Sequence, residues 1–462
     1  MSDNEYDVIV IGGGPPGENA AQYAIQGTDR TAAIVEAELL GGECSYWACM
    51  PSKAMLRPLD LLAGAANVGG LTGVPSVDVK GLLDRRDYWV SGYSDEGQVS
   101  WAADAGISVV RGRGRITGER TVEVDGRVLT AREAVVVATG SVANLPAPYA
   151  DLQPWTSRDA TGVREVPDHL VVVGGGVVAC ESARWMRALG SAVTMLVRGP
   201  GLLEPFEPFA GELVLDSLRA EGIDVRLSAS VSSASRPDAQ ATGTGRVHGG
   251  PVTLTLDDGA ELTASEVLVA VGRRPATDDI GLETVGLSGA DLRGAVSGGV
   301  LPDWLHTVGD VNGEAPLTHW GKYQARMVGR RIAARAGHGH EPVVPGFVPV
   351  PQVVFTDPQV ASVGLTARQA EEAGRSFFLR DSPLSAASGA SLLRDDLVGQ
   401  ARLVVDDDSG VLLGATFVGP EVADLVHSAT VAVVGRVPLD VLRHAVPSYP
   451  TSSEVWLRLL ES

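Results

Sequence analysis

Short runs of unbroken apolar residues recur along the chain. The first is Val8-Ile9-Val10-Ile11, and similar runs follow at Ala32–Val35, Ala134–Ala138, Leu170–Val173 and Val267–Val271, with a further one at Ala192–Val197 interrupted only by Thr194. Runs of this length, apolar at successive rather than alternate positions, predict parallel strands covered on both faces. Most are followed by a glycine turn or a helix-compatible segment. Residues 57 to 107 read as mainly helical. Near the C-terminus the pattern changes: Ala401-Arg402-Leu403-Val404-Val405 and Val411–Val418 suit an antiparallel sheet. A Pro- and Val-rich stretch, Pro342 to Pro351, reads as a linker before it. The pattern predicts an α/β fold with parallel sheets, followed by an α+β domain.

The first apolar run ends in Gly12-Gly13-Gly14-Pro15-Pro16-Gly17 and then a helical Glu18–Ala24. Gly12, Gly14 and Gly17 fit G-x-G-x-x-G. That spacing permits a tight turn and brings backbone N–H groups up to a pyrophosphate at the helix N-terminus. The next strand ends in Glu36, placed to bind ribose hydroxyls. Strand, turn, helix, strand and acid in that order predict a dinucleotide site. The pattern returns at Leu170–Glu181, with Gly174, Gly176 and Ala179 at the three turn positions. A second unit of this kind implies a second dinucleotide.

Between the two lies Gly41-Gly42-Glu43-Cys44-Ser45-Tyr46-Trp47-Ala48-Cys49-Met50-Pro51-Ser52-Lys53, with two of the three cysteines of the chain. A C-x4-C pair at a helix start can close a disulfide or open to two thiols, and a helix N-terminus favours the thiolate. Spacing alone equally allows two buried structural cysteines.

The segment closely resembles the redox-active GGTCLNVGCIPSK of the FAD-dependent pyridine nucleotide-disulfide oxidoreductases, the family of dihydrolipoamide dehydrogenase, glutathione reductase and mercuric reductase. The resemblance extends almost end to end. Ala138-Thr139-Gly140 resembles the family's exit from the FAD domain. Val271-Gly272-Arg273-Arg274-Pro275 resembles its return, and Thr307-Val308-Gly309-Asp310-Val311 its flavin-ribityl motif. Val353–Leu365 resembles the opening strand of its dimerisation domain.

The resemblance implies FAD and NADPH (or NADH) as cofactors, with the second Rossmann domain inserted in the first. Its expected boundaries are 1–155 and 275–340 for the FAD domain, 156–274 for the NAD(P) domain and 341–462 for the dimerisation domain. It implies a homodimer acting on a small molecule. Cys49 becomes the flavin-proximal thiol and Cys44 the interchange thiol; Glu181 pairs with Lys53 near the flavin. Asp310 joins the FAD site, and Gly42, Gly114, Thr139, Gly140 and Gly272 the cofactor-binding set. Leu317-Thr318-His319 should pass near the flavin. Arg198, at the end of the second Rossmann unit's second strand, favours the NADP 2′-phosphate, although Glu204 stands where glutathione reductase has its second arginine.

Composition narrows the partners. The 462 residues allow two to four domains. A net charge of −20, from 37 Lys+Arg against 57 Asp+Glu, opposes nucleic-acid or anionic-membrane binding. No apolar stretch reaches membrane-span length, and the acidic Met1-Ser2-Asp3-Asn4-Glu5 lacks a basic signal region. The expectation is a cytoplasmic protein without a metal site. Three cysteines are too few for a secreted disulfide framework.

Two departures from the family bear on the substrate. The usual C-terminal H-x-H-P-T-x-S-E is here Pro447-Ser448-Tyr449-Pro450-Thr451-Ser452-Ser453-Glu454. Tyr449 stands at the position of the acid–base histidine that Glu454 would orient, and a tyrosine is a poor base at neutral pH. His444 lies five positions earlier. Between the cysteines, Tyr46 and Trp47 either narrow the site towards a flat apolar substrate or pack inward. The expected activity is electron transfer from NAD(P)H through FAD to Cys44–Cys49 and on to a disulfide-type acceptor. Alternatives are a quinone or dye reductase, and a carbon–sulfur bond reductase resembling 2-ketopropyl coenzyme M carboxylase, a relative that also lacks the base.

Overall fold

The computed structural model describes residues 4–73, 75–295 and 299–461. The chain forms two compact units, each assembled from separated stretches. The first comprises the chain up to Pro51, Asp87–Asn144 and Gly272–Gly346. The second comprises Ser52–Arg86, Leu145–Val271 and the chain from Phe347 on.

The first unit is built on β1 (Glu5–Ile11), α1 (Pro15–Ile25) and β2 (Ala32–Glu36). The sheet continues with β3 (Ile107–Arg111), β4 (Gly114–Gly118), β5 (Thr121–Val124) and β6 (Arg127–Val137), in the order β3-β2-β1-β6-β5-β4. β1 runs parallel to both β2 and β6, with Val10 opposite Ile34 and Val136. All three are fully buried, as a parallel strand under cover on both faces requires. β6 does two jobs. Its start pairs antiparallel with β5, while Val135–Val137 pair in parallel with the strand Leu305–Thr307. The helix Thr318–Arg335 packs along α1. Ala20, Ala21 and Ala24 are buried on α1, and side chains this small let two helix axes approach closely.

The second unit contains a four-stranded parallel sheet, ordered Asp224–Leu227, Ala192–Val197, His169–Val173 and Glu266–Val269. The helix Val177–Ala188 follows its glycine turn. The unit also holds a three-stranded antiparallel sheet, Val231–Ser235, Val252–Leu256 and Glu261–Ala264. The C-terminal stretch forms a five-stranded antiparallel sheet ordered Gln352–Val354, Gln359–Gly364, Leu412–Gly419, Gln400–Asp406, Phe377–Pro383. The stretch Val353–Leu365, read from the sequence as one opening strand, is two strands of a hairpin with Val353 opposite Ala361. Pro358 has no N–H for a ladder, and the Thr356 hydroxyl donates to the Pro358 carbonyl at 2.7 Å, which closes the turn. Among the described residues no helix is long and apolar enough to cross a membrane.

Candidate active site

In the first unit, β1 delivers the chain into the glycine turn. Gly12 has φ +103°, and a Cβ there would lie 2.3 Å from the Ala138 carbonyl oxygen at the end of β6. A Cβ on Gly17 would meet the Gly12 carbonyl oxygen at 2.0 Å. Only glycine lets α1 start this close to the strand. The Glu36 carboxylate is held against the same turn: Oε2 accepts from the Gly13 N–H at 2.7 Å and Oε1 from the Glu38 N–H at 2.7 Å. Gly42 packs on Gly14, so that a Cβ on it would come within 2.7 Å of the Gly14 Cα. Gly140 and Gly272 present open space where a Cβ would project, whereas Gly114 is wedged between Ile11 and Val35. Thr139 donates to the Ala276 carbonyl at 2.7 Å. Asp310 Oδ2 accepts from the Ser141 hydroxyl at 2.7 Å, and the Arg273 Nε donates to that hydroxyl oxygen at 2.8 Å.

Glu18, in the first turn of α1, was not singled out by the sequence. Among the described residues its Oε1 has no hydrogen-bond partner. Burial pushes the carboxyl up to about 7, against the pull of Lys322 and with a further push from Glu36. The glutamate directly after the glycine motif was the available signal. A glycine turn at a helix start, an acid at the end of β2 and a carboxylate in the Gly309–Asn312 turn form a donor and acceptor set that fits a flavin dinucleotide.

The cysteine segment is two helices rather than one. α2 (Gly42–Tyr46) carries Cys44, and α3 (Cys49–Ala66) begins at Cys49, with Trp47 and Ala48 between them. Both cysteines are half-buried. The Cys49 Sγ lies 3.4 Å from the hydroxyl oxygen of Thr318. Thr318 is the first residue of its own helix, so the sulfur stands at one helix amino end and beside a residue that opens another. Both favour a thiolate. Of the two aromatic residues between the cysteines, Tyr46 packs inward. Its hydroxyl donates to the Leu40 carbonyl at 3.0 Å, and burial pushes its pKa up to about 12. Trp47 is half-buried and stacks on Tyr93, with ring centroids 4.6 Å apart. The third cysteine, Cys180, is fully buried, which drives its thiol pKa far up.

In the second unit the glycine turn is rebuilt. Gly174 has φ +132° and abuts the Ala270 carbonyl, buried Ala179 takes the third position, and Gly176 faces open space. Arg198 follows the strand Ala192–Val197 directly and is exposed. Glu204 comes close: its Oε2 is 4.0 Å from where a Gly199 Cβ would stand. Lys53, one turn into α3, pairs with Glu181 of the helix Val177–Ala188 at 2.9 Å. Phe355 completes this pair, and sequence reasoning missed it. Its N–H donates to Glu181 Oε1 at 2.9 Å, and its ring lies under the Lys53 ammonium at 4.6 Å. At the C-terminal end Tyr449 is 77% exposed. Glu454 is buried, and its Oε2 accepts from the Gly389 N–H at 3.2 Å. His444 is exposed.

Comparison with known proteins agrees with this architecture. Residues 6–315 match the pyridine nucleotide-disulphide oxidoreductase family, and residues 350–459 match that family's dimerisation domain. A dihydrolipoyl dehydrogenase of Haloferax volcanii is 33% identical over 477 residues, covering 99% of this chain and 96% of the relative. A mercuric reductase of Staphylococcus aureus is 27% identical, covering 98% of this chain and 81% of the relative. Among solved structures, LpdA from Mycobacterium tuberculosis has a TM-score of 0.80 at 25% identity, covering 98% of this chain and 99% of that one. The flavoprotein disulfide reductase RclA from Escherichia coli shares the fold with a TM-score of 0.81 at 21% identity, each chain covered over 99% of its length. With both parts of the family's architecture matched, the chain belongs to the pyridine nucleotide-disulphide oxidoreductases, and is an FAD- and NAD(P)H-dependent enzyme of that family carrying its dimerisation domain.

Proposed function

We propose that this protein, as a cytoplasmic homodimer, draws electrons from NADPH and delivers them through the Cys44–Cys49 pair to a small disulfide-type acceptor. The observation that carries the reading is the Cys49 sulfur, held 3.4 Å from the Thr318 hydroxyl at the start of α3. When bound, FAD supplies the relay between hydride and sulfur chemistry. Cys49 serves as the flavin-facing thiol, kept anionic by the hydroxyl and the helix start. Cys44, on the separate short helix α2, is the interchange thiol that attacks the substrate. Glu36 and Asp310 hold the ribose and ribityl hydroxyls. The Lys53–Glu181 pair fixes the charge facing the nicotinamide. Arg198 receives the 2′-phosphate of NADPH. Tyr449 offers the substrate a hydroxyl in place of an imidazole, which slows proton transfer to a departing thiolate at neutral pH.

Reduction with one equivalent of NADPH, quenching and thiol counting test this reading. Two additional thiols per FAD are expected in the parent and none in Cys44→Ser or Cys49→Ser. An unchanged thiol count in fully reduced parent enzyme refutes it. A second reading, direct electron transfer to a quinone or dye, draws support from the Trp47–Tyr93 stack. On that reading Cys44→Ser retains full turnover with a naphthoquinone.

A further inference from the structure

A buried charge cluster lies in the second unit, apart from every residue assigned above. Arg184 is 3% exposed and sits three residues after Glu181 on the helix Val177–Ala188. Its guanidinium donates to Asp60 Oδ1 at 2.6 Å and to Glu221 Oε1 at 3.0 Å, and lies 3.7 Å from Asp357 Oδ2. Asp60 belongs to α3, seven residues beyond Lys53. α3 and the helix Val177–Ala188 are therefore bolted together twice, by Lys53–Glu181 and by Asp60–Arg184. The turn that follows the strand Gln352–Val354 is tied to both bolts. Phe355 donates its N–H to Glu181, while the Asp357 carboxylate faces Arg184 and accepts two bonds from Arg394 Nη1 at 2.8 and 2.9 Å. The Ser217 hydroxyl donates to the Asp357 carbonyl and fixes the same turn from the helix Pro208–Ala220.

The two bolts differ in stiffness. Lys53 is a flexible stem whose side chain is 35% exposed, so its ammonium can swing while the pair persists. Arg184 is a planar fork, almost wholly buried, that engages carboxylates on three different elements at once. Such a centre fixes the spacing and rotation of the elements that carry them. We propose that Arg184 is a positioning residue for the Lys53–Glu181 pair, setting the registry of α3, the helix Val177–Ala188 and Phe355 so that the pair keeps one geometry. The proposal rests on the role given to Lys53–Glu181 above.

A cluster that merely stabilises the fold would leave the chemistry of the pair untouched, and the test separates the two. Arg184→Lys keeps the charge and loses the fork. Asp60→Asn breaks the same bolt in a cluster that has more carboxylates than arginines, so it is expected to fold even where Arg184→Lys does not. In the FAD-loaded dimer, each is expected to slow reduction by NADPH roughly tenfold, since small displacements remote from the reacting atoms suffice for such losses. Each is also expected to shift the two-electron midpoint potential, measured by dye equilibration, in the same direction as Glu181→Gln. The combined Asp60→Asn/Glu181→Gln variant is expected to lose no more rate than Glu181→Gln alone, because both act through one pair. Additive losses, or a lowered melting temperature with unchanged rate and potential, overturn the proposal. If Glu181→Gln alone changes neither rate nor potential, the reading of the pair fails and this proposal falls with it. If Glu181→Gln changes both while Asp60→Asn changes neither, only the role of Arg184 is lost.

Discussion

Replacing Thr318 by valine removes one hydroxyl and leaves the local backbone able to form the same helix start. In the structure that hydroxyl is 3.4 Å from the Cys49 sulfur. A hydrogen bond to an ionised group is worth about 1.5–3 kcal/mol, and a contact to sulfur at this length belongs at the lower end. One pKa unit corresponds to about 1.4 kcal/mol, so the variant should titrate about one unit higher than the parent. The sign follows from the charge state: the hydroxyl donates to the thiolate, and losing it disfavours the anion. The helix start at Cys49 is untouched, so the shift should not grow beyond this hydroxyl's share. The assay is alkylation of Cys49 by iodoacetamide as a function of pH in a Cys44→Ser background. Cys180 does not interfere, because it is fully buried. The midpoint of the rate profile should rise by about one unit in Thr318→Val and return in Thr318→Ser. A midpoint that stays in place or falls would refute the assignment of Thr318 as the thiolate's partner.

Tyr449→His should raise turnover of ordinary disulfides such as lipoamide by roughly 10²-fold or more, measured at saturating NADPH; an unchanged rate with dimer and flavin intact argues that another group supplies the proton. Arg198→Glu should abolish any preference for NADPH over NADH in stopped-flow flavin reduction, and a parent that prefers NADH defeats the assignment. Glu18 gives a pH prediction for the FAD-free protein. Its folded pKa is raised from 4.5 to about 7, so the folded chain binds the proton more tightly than the unfolded one, and stability falls as pH rises from about 4.5 through 7. Glu18→Gln should therefore stabilise by up to about 3 kcal/mol at pH 8 and by little at pH 5 in urea melts; equal effects at both pH values would show that the gain does not come from ionisation.

Elements written in consecutive residues were readable from the chain itself. β1, the glycine turn, α1, β2 and Glu36 follow one another within 32 residues, from Glu5 to Glu36, and their pattern depends on local sterics. The second turn was legible for the same reason. The cysteine segment looked like one helix start, because nothing in Trp47-Ala48 announces a break between α2 and α3. Val353–Leu365 looked like one strand on the family resemblance, although Thr356-Asp357-Pro358-Gln359 interrupts its apolar residues with a local turn signal. The partners of the site residues were least visible. Thr318 lies 269 positions from Cys49, and Phe355 lies 174 positions from Glu181. No periodicity reports a contact at such a separation. Arg184 shows the same limit: its three carboxylates come from α3, from the end of the helix Pro208–Ala220 and from the turn at Asp357.

The first unit is closed by its last stretch, Gly272–Gly346, which supplies the strand paired with β6, the turn of Asp310 and the helix packed on α1. A ribosome making this chain releases β1, the glycine turn and the cysteines early, but their lid of helix and strand emerges some 300 residues later. Closing contacts across that length is slow, and apolar surface stays uncovered meanwhile. Until then the nascent glycine turn has half of its proposed flavin cradle, so cofactor loading is tied to the final third of synthesis. A stalled or truncated chain ending before Thr318 would therefore emerge colourless, with Cys49 deprived of its hydroxyl partner, and would be a natural client for chaperones and proteases.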